Sequence, residues 1–150
     1  MTAFNDIPIR VNGPVRVRRV NNGAGVAGRA NARDGIEIRP SNKGKTVEGR
    51  RVMAHEMAHM MDYRDLDERQ RQHIGQAILG GKWDAEKFAE YAAWAAVMPK
   101  SGKVVGGSPG WSSKRDRVSA LPAYGVKLDA KKLDVLRKWL VNIPLYRRAQ

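Results

Sequence analysis

The pentad His55-Glu56-Met57-Ala58-His59 constrains this chain more than any other feature, because it lies in a stretch, 46 to about 63, whose spacing predicts a helix. Residues four apart on a helix project from one face. Two imidazoles can therefore reach a single Zn²⁺ at about 2.0–2.1 Å, with the intervening carboxylate beside the water that such a cation activates. Two of the chain's three histidines fall in the pentad. A chance H-E-x-x-H is expected on the order of 0.002 times in a chain of this composition, so the match is specific. At about 100° per residue, His55, His59 and Asp62 share one side of the helix, and Met53, Met57, Met60 and Met61 the other. Such a helix is expected to be buried on both sides, with the methionines as core filler. Asp62 either accepts a hydrogen bond from a ligand histidine, orders a downstream segment, or is a surface carboxylate.

The surroundings of this helix define a fold class. Val15, Val17 and Val20 interleave with Arg16, Arg18 and Arg19, and Ile36 and Ile38 with Glu37 and Arg39, the period-two pattern of strands with one wet face. Between them Gly23, Gly25 and Gly28 spell G-x-G-x-x-G. A dinucleotide loop must open a crossover helix, for which there is no room before residue 36, so a glycine-rich hairpin loop is expected. Helical spacing returns at about 65–79, 84–98 and 129–142, with Asp84 and Asp129 placed to cap free amides and Leu133, Leu136, Leu140 and Ile143 on one apolar face. Strands first and helices afterwards predict an α+β domain, a twisted N-terminal sheet followed by the H-E-x-x-H helix and a glutamate-bearing helix. One domain over 1–150 suits the length. Pro99 and Gly102 mark a stop, and 100–126, rich in Gly, Ser, Lys and Arg, is expected to be a long loop or arm.

A catalytic zinc site needs three protein ligands and one open position, so a third ligand is sought downstream. Glu86 and Glu90 share a face with Ala93 and Val97 on an alanine-rich helix able to approach the His-bearing one closely, and either carboxylate could point at the metal. His73, in RQRQHIGQ, is a rival. A closed structural site is disfavoured because the chain has no cysteine, which also removes disulfides and thiol nucleophiles.

HEMAHMMD at 55–62 followed by EKFAEY at 86–91 resembles the gluzincin metallopeptidases, especially the anthrax lethal factor-like group, in which H-E-x-x-H-x-x-D precedes a helix carrying E-x-x-A-E. The ImmA/IrrE-like peptidases share the general plan. The resemblance spans about residues 46–99. It implies a zincin-like fold, with His55, His59 and Glu86 as ligands of Zn²⁺, Glu56 as general base, and Asp62 and Glu90 in support. It further implies hydrolysis of peptide bonds in a protein or peptide substrate aligned along an edge strand, for which 36–39 is the expected segment. The lethal factor-like group carries a tyrosine about two turns before the ligand glutamate, where this chain has Leu79. The stabiliser of the oxyanion is therefore sought among Tyr63, Tyr91, Tyr124 and His73. SprT-like families use a third histidine, but His73 lacks their His-Gly setting.

The net charge of +13 is unevenly distributed. Residues 1–51 hold 11 basic and 4 acidic side chains, 52–99 hold 5 and 8, and 100–150 hold 12 and 3. Basic flanks around an acidic middle suit nucleic acid or an acidic protein as partner, or merely a solvated surface. MTAFNDIPIR has no basic stretch leading into an apolar run, and no segment approaches the roughly 20 apolar residues of a membrane span. A cytoplasmic protein without membrane contact is expected, with phage or virion association attached to the competing reading. In that reading a basic nucleic-acid-binding or virion assembly protein is built on the same fold without proteolytic activity. Glu56, intact beside both histidines, favours the enzyme.

Overall fold

The computed structural model describes residues 7–20, 28–31, 33, 35–39, 47–97, 103–105, 108–110 and 124–141. Its elements run β1 (Val17–Arg19), β2 (Gly28–Asn31), β3 (Gly35–Ile38), α1 (Val47–Asp65), α2 (Glu68–Ala77), α3 (Ala85–Val97), β4 (Lys103–Val105), β5 (Ser108–Gly110) and α4 (Ala130–Val141). Among the described residues this is an α+β arrangement of a three-stranded sheet, a separate two-stranded pair and four helices.

The alternating N-terminal residues form the sheet, in the order β1-β3-β2. Ile36 and Ile38 point into the core, while Glu37 faces outward and pairs with Arg18 at 3.3 Å. The topology departs from the expected hairpin. β1 runs parallel to β3, with Val17 opposite Ile36, and the antiparallel partner of β3 is β2, drawn from the glycine-rich stretch itself. Gly28-Arg29-Ala30-Asn31 has no β-branched or aromatic residue to announce a strand; its extension comes from the ladder it makes with β3. Gly28 thus opens a strand and not a helix, while Gly23 and Gly25 lie outside the described residues. The strand order corrects a second expectation. Residues 36–38 belong to the central strand, whose two edges are already occupied, so the segment expected to align substrate cannot do so; the edges are β1 and β2. Gly35, at φ 102°, brings β3 against the Arg16 backbone, where a Cβ would overlap the Arg16 carbonyl, which accepts from the Ile36 amide at 2.8 Å.

The helices match the sequence periodicity closely. Asp84 and Asp129 accept from the amides of Lys87 and Lys132, each at 3.0 Å. Asp67 forms a reciprocal capping box with Gln70 and separates α2 from α1. The most extensive helix contact is α1 on α3, and the small, fully buried Ala93, on the face of Glu86 and Glu90, suits that close approach. Met53, Met60 and Met61 are buried behind the pentad with Phe88 and Trp94, while Met57 is half-buried. Leu133, Leu136 and Leu140 lay α4 against α3; Ile143 lies outside the described residues. The Tyr91 hydroxyl accepts from the Asp129 amide at 2.8 Å, and Arg137 Nε donates to the Ala95 carbonyl at 2.7 Å, tying α4 to α3 at both ends. Within 100–126, β4 and β5 pair antiparallel, and Pro99, Gly102 and 111–123 lie outside the described residues. No described helix is long and apolar enough to cross a membrane.

Candidate metal centre

The α1 face opposite the methionines carries buried polar groups. His55, Glu56, His59 and Asp62 are each less than a tenth exposed. The Nε2 atoms of both histidines converge on Glu86, in the first turn of α3. His55 Nε2 lies 3.1 Å from Glu86 Oε2, and His59 Nε2 lies 3.2 Å from Oε1. One ligand atom from each of the three residues falls within 4.8 Å of the others. Tetrahedral donors at about 2.0–2.1 Å from zinc stand about 3.3–3.4 Å apart, so the histidine-to-carboxylate spacings fit such a cation with little rearrangement. The donor set, two imidazoles and one carboxylate on a scaffold with an exposed ligand carboxylate, suits a site that leaves one position open.

Glu90 stands one turn behind Glu86 and takes another role. It is 1 % exposed, and its Oε1 lies 3.4 Å from His55 Nδ1 and 3.0 Å from Arg51 Nη1. The Arg51 guanidinium in turn lies 5.7 Å from the centroid of the Trp94 ring. A carboxylate at Nδ1 favours the tautomer that frees the Nε2 lone pair, the usual way a ligand imidazole is oriented. Sequence reasoning passed over Arg51. Its signal was its place one turn before His55, which becomes meaningful only once α3 brings Glu90 alongside.

The electrostatics follow from this crowding. Burial lowers the pKa of His55, but the hydrogen bond to Glu90 and the charges of Glu56, Glu90 and Glu86 outweigh it, so His55 is raised. His59 is lowered, first by burial and then by the neighbouring His55. Its Nδ1 is buried without a hydrogen-bond partner among the described residues. Burial, assisted by Glu86 and opposed by His55, pushes the Glu56 carboxyl up to about 7, where it can both accept and return a proton. β2 passes directly over this carboxyl. A Cβ at Gly28 would stand 3.3 Å from Glu56 Cγ and from Val52 Cγ1, so the absence of a side chain there opens the approach to Glu56.

Asp62 is buried and not a surface carboxylate, and among the described residues its side-chain hydrogen bond runs to Arg71, while its charge acts on His59. It accepts from Arg71 Nε at 2.7 Å, and its carbonyl accepts from Arg71 Nη2 at 3.0 Å, which fastens α2 to α1. His73 lies on the exposed face of α2 with its ring 5.4 Å from that of Trp139, apart from the His55–His59–Glu86 group. Leu79 lines a separate cavity of about 230 Å³ beside Tyr91. Tyr91 is buried and committed to the Asp129 amide. Two of the four oxyanion candidates flank the centre. Tyr63 stacks on His59 at 6.0 Å, and Tyr124 stacks on His55 at 5.8 Å while bonding Glu86 through its side chain. Tyr124 and Gly125 take successive left-handed conformations, φ 59° and 68°, a turn that presents the phenol to the centre.

No protein-family model, no curated protein and no solved structure matches the chain.

Proposed function

We propose that this chain is a zinc-dependent metalloendopeptidase of the gluzincin kind on a zincin-like fold. The observation that carries the reading is the convergence of His55 Nε2, His59 Nε2 and Glu86 within 4.8 Å, with the Glu56 carboxyl beside them at a pKa of about 7. His55, His59 and Glu86 would hold Zn²⁺, and Glu90 would orient His55. The chemistry that zinc supplies when bound is Lewis acidity, polarising a carbonyl and acidifying water toward a pKa of about 7. Glu56 accepts a proton from the attacking water and returns it to the leaving amine. Tyr124 and Tyr63 place phenol groups on either side of the histidines, where one can donate to the oxyanion of the tetrahedral intermediate. An extended substrate would pair with the outer edge of β2 at Gly28, beside Glu56, through main-chain hydrogen bonds independent of sequence.

The test is metal analysis with a peptidase assay on identically prepared variants. Wild type is expected to hold about one zinc per chain and to cleave unfolded protein substrates. His59→Ala and Glu86→Ala should lose the metal, His73→Ala should keep it, and Glu56→Gln should keep it without turnover. A metal-replete wild type free of zinc would overturn the proposal.

A further inference from the structure

The basic character of the chain has a local focus away from the metal centre. Arg16, just before β1, Arg33, in the β2–β3 turn, and Arg64, in the last turn of α1, line one cavity of about 450 Å³ together with Pro14 and Val15. Among the described residues no acidic side chain lines it. Of the described carboxylates, Asp65 accepts from the amide and side chain of Asn12, and Glu37 pairs with Arg18. Arg64 is set in place, its Nη1 donating to the carbonyls of Asn12 at 3.0 Å and Pro14 at 2.8 Å. The turn that carries Arg33 is held by its amide donating to Asn31 Oδ1 at 2.9 Å. The three arginines come from distant parts of the chain, and an anion in the cavity would meet positive charge from each of them.

We infer that this cavity binds the phosphodiester backbone of nucleic acid, independently of base sequence. Guanidinium forks match phosphate oxygens two at a time. A nucleic-acid strand offers a charge about every 3.4 Å along its axis, so successive phosphates can engage different arginines. Among the described residues no aromatic ring lines the cavity, so binding is assigned to the backbone and not to stacked bases. The net charge of +13 steers a polyanion toward the chain as a whole, and the arginine cavity gives it a place to dock.

The experiment is fluorescence anisotropy of a labelled mixed-sequence 12-base-pair DNA duplex against the full chain across a salt series, with zinc chelated so that the readout is independent of peptidase activity. Arg16→Gln/Arg33→Gln is compared with the charge-matched Arg69→Gln/Lys131→Gln, on the exposed surfaces of α2 and α4. All four side chains are exposed, and the single variants accompany the pairs. The cavity pair is expected to weaken binding about tenfold, equally for a second unrelated sequence, and to lower the salt slope by about two, one for each phosphate no longer neutralised. The control pair is expected to change affinity less than about threefold. Four results would overturn the inference: no binding by wild type, equal losses in the two pairs, a poly-glutamate peptide of matched charge that binds as tightly with the same dependence on Arg16 and Arg33, or inorganic phosphate alone saturating the site at concentrations that displace the duplex without any chain-length advantage.

Discussion

Replacing Arg51 by methionine will expose how the metal centre is supported. Glu90 is 1 % exposed, and Arg51 lies 3.0 Å from its Oε1 and 3.5 Å from Oε2. At that separation and an effective dielectric of about 20, the attraction is about 5 kcal/mol, largely offset by the desolvation of both groups. Removing the arginine takes away the permanently charged partner of Glu90 and leaves the His55 contact to offset only part of its desolvation, against a cost of about 3–5 kcal/mol when one partner of a fully buried pair is lost. Arg51 keeps 15 % of its side chain exposed, so the lower end, about 3 kcal/mol, applies. In a domain of 150 residues that is a fall of about 6–12 °C in melting temperature. The assay is urea and thermal unfolding of the metal-chelated protein, for Arg51→Met, Glu90→Gln and the double variant. The double variant should recover most of the loss, because neutralising Glu90 removes the buried charge that Arg51 offsets. A loss below about 1 kcal/mol in Arg51→Met, or a double variant as unstable as the sum of the singles, would refute the reasoning.

Three further outcomes rest on individual side chains. Glu90→Gln should retain zinc with affinity lowered about 10–100-fold, the signature of an orienting partner, whereas Glu86→Ala should abolish binding; competition with a chromophoric chelator separates the two, and equal losses would assign Glu90 to the ligand set. The Tyr91 hydroxyl, pushed up to about 12 by burial against the opposing hydrogen bond from the Asp129 amide, favours the neutral folded state. Its contribution to stability is therefore complete below pH 10 and lost as the pH rises toward 12; ultraviolet titration should lose its most alkaline phenol transition in Tyr91→Phe, and an unchanged profile would contradict this. Gly75→Ala, which helix propensity alone would favour by about 1 kcal/mol, should instead destabilise, because the new Cβ would lie 2.7 Å from the Gly81 carbonyl oxygen. Chemical denaturation decides the sign.

Much of the metal centre is legible along the chain because its logic is local. Two imidazoles four residues apart share a face by helical geometry alone, with the Glu56 carboxylate flanking them, and Asp84 and Asp129 cap their helices for equally local reasons. The division of labour between Glu86 and Glu90 is not local. Both lie on one face of α3, and only the height at which α3 packs on α1 brings the first opposite the Nε2 atoms and the second opposite Nδ1 and Arg51. The same holds for Asp62, whose partner Arg71 arrives with α2, and for Tyr124, set against His55 by a turn more than sixty residues away in the chain.

The sheet shows the contrast most clearly. Alternation along 15–20 and 36–39 determined that two strands would form with one buried face, since a period of two leaves no other way to hide Ile36 and Ile38. Their parallel pairing, the central place of β3 and the recruitment of Gly28–Asn31 as an edge strand were decided only in three dimensions. Backbone hydrogen bonds between strands carry no side-chain signature, so a segment of weak propensity becomes a strand when a stronger neighbour offers it a ladder. That decision places a glycine over Glu56 and gathers Arg16, Arg33 and Arg64 around one cavity, arrangements that no spacing along the chain could express.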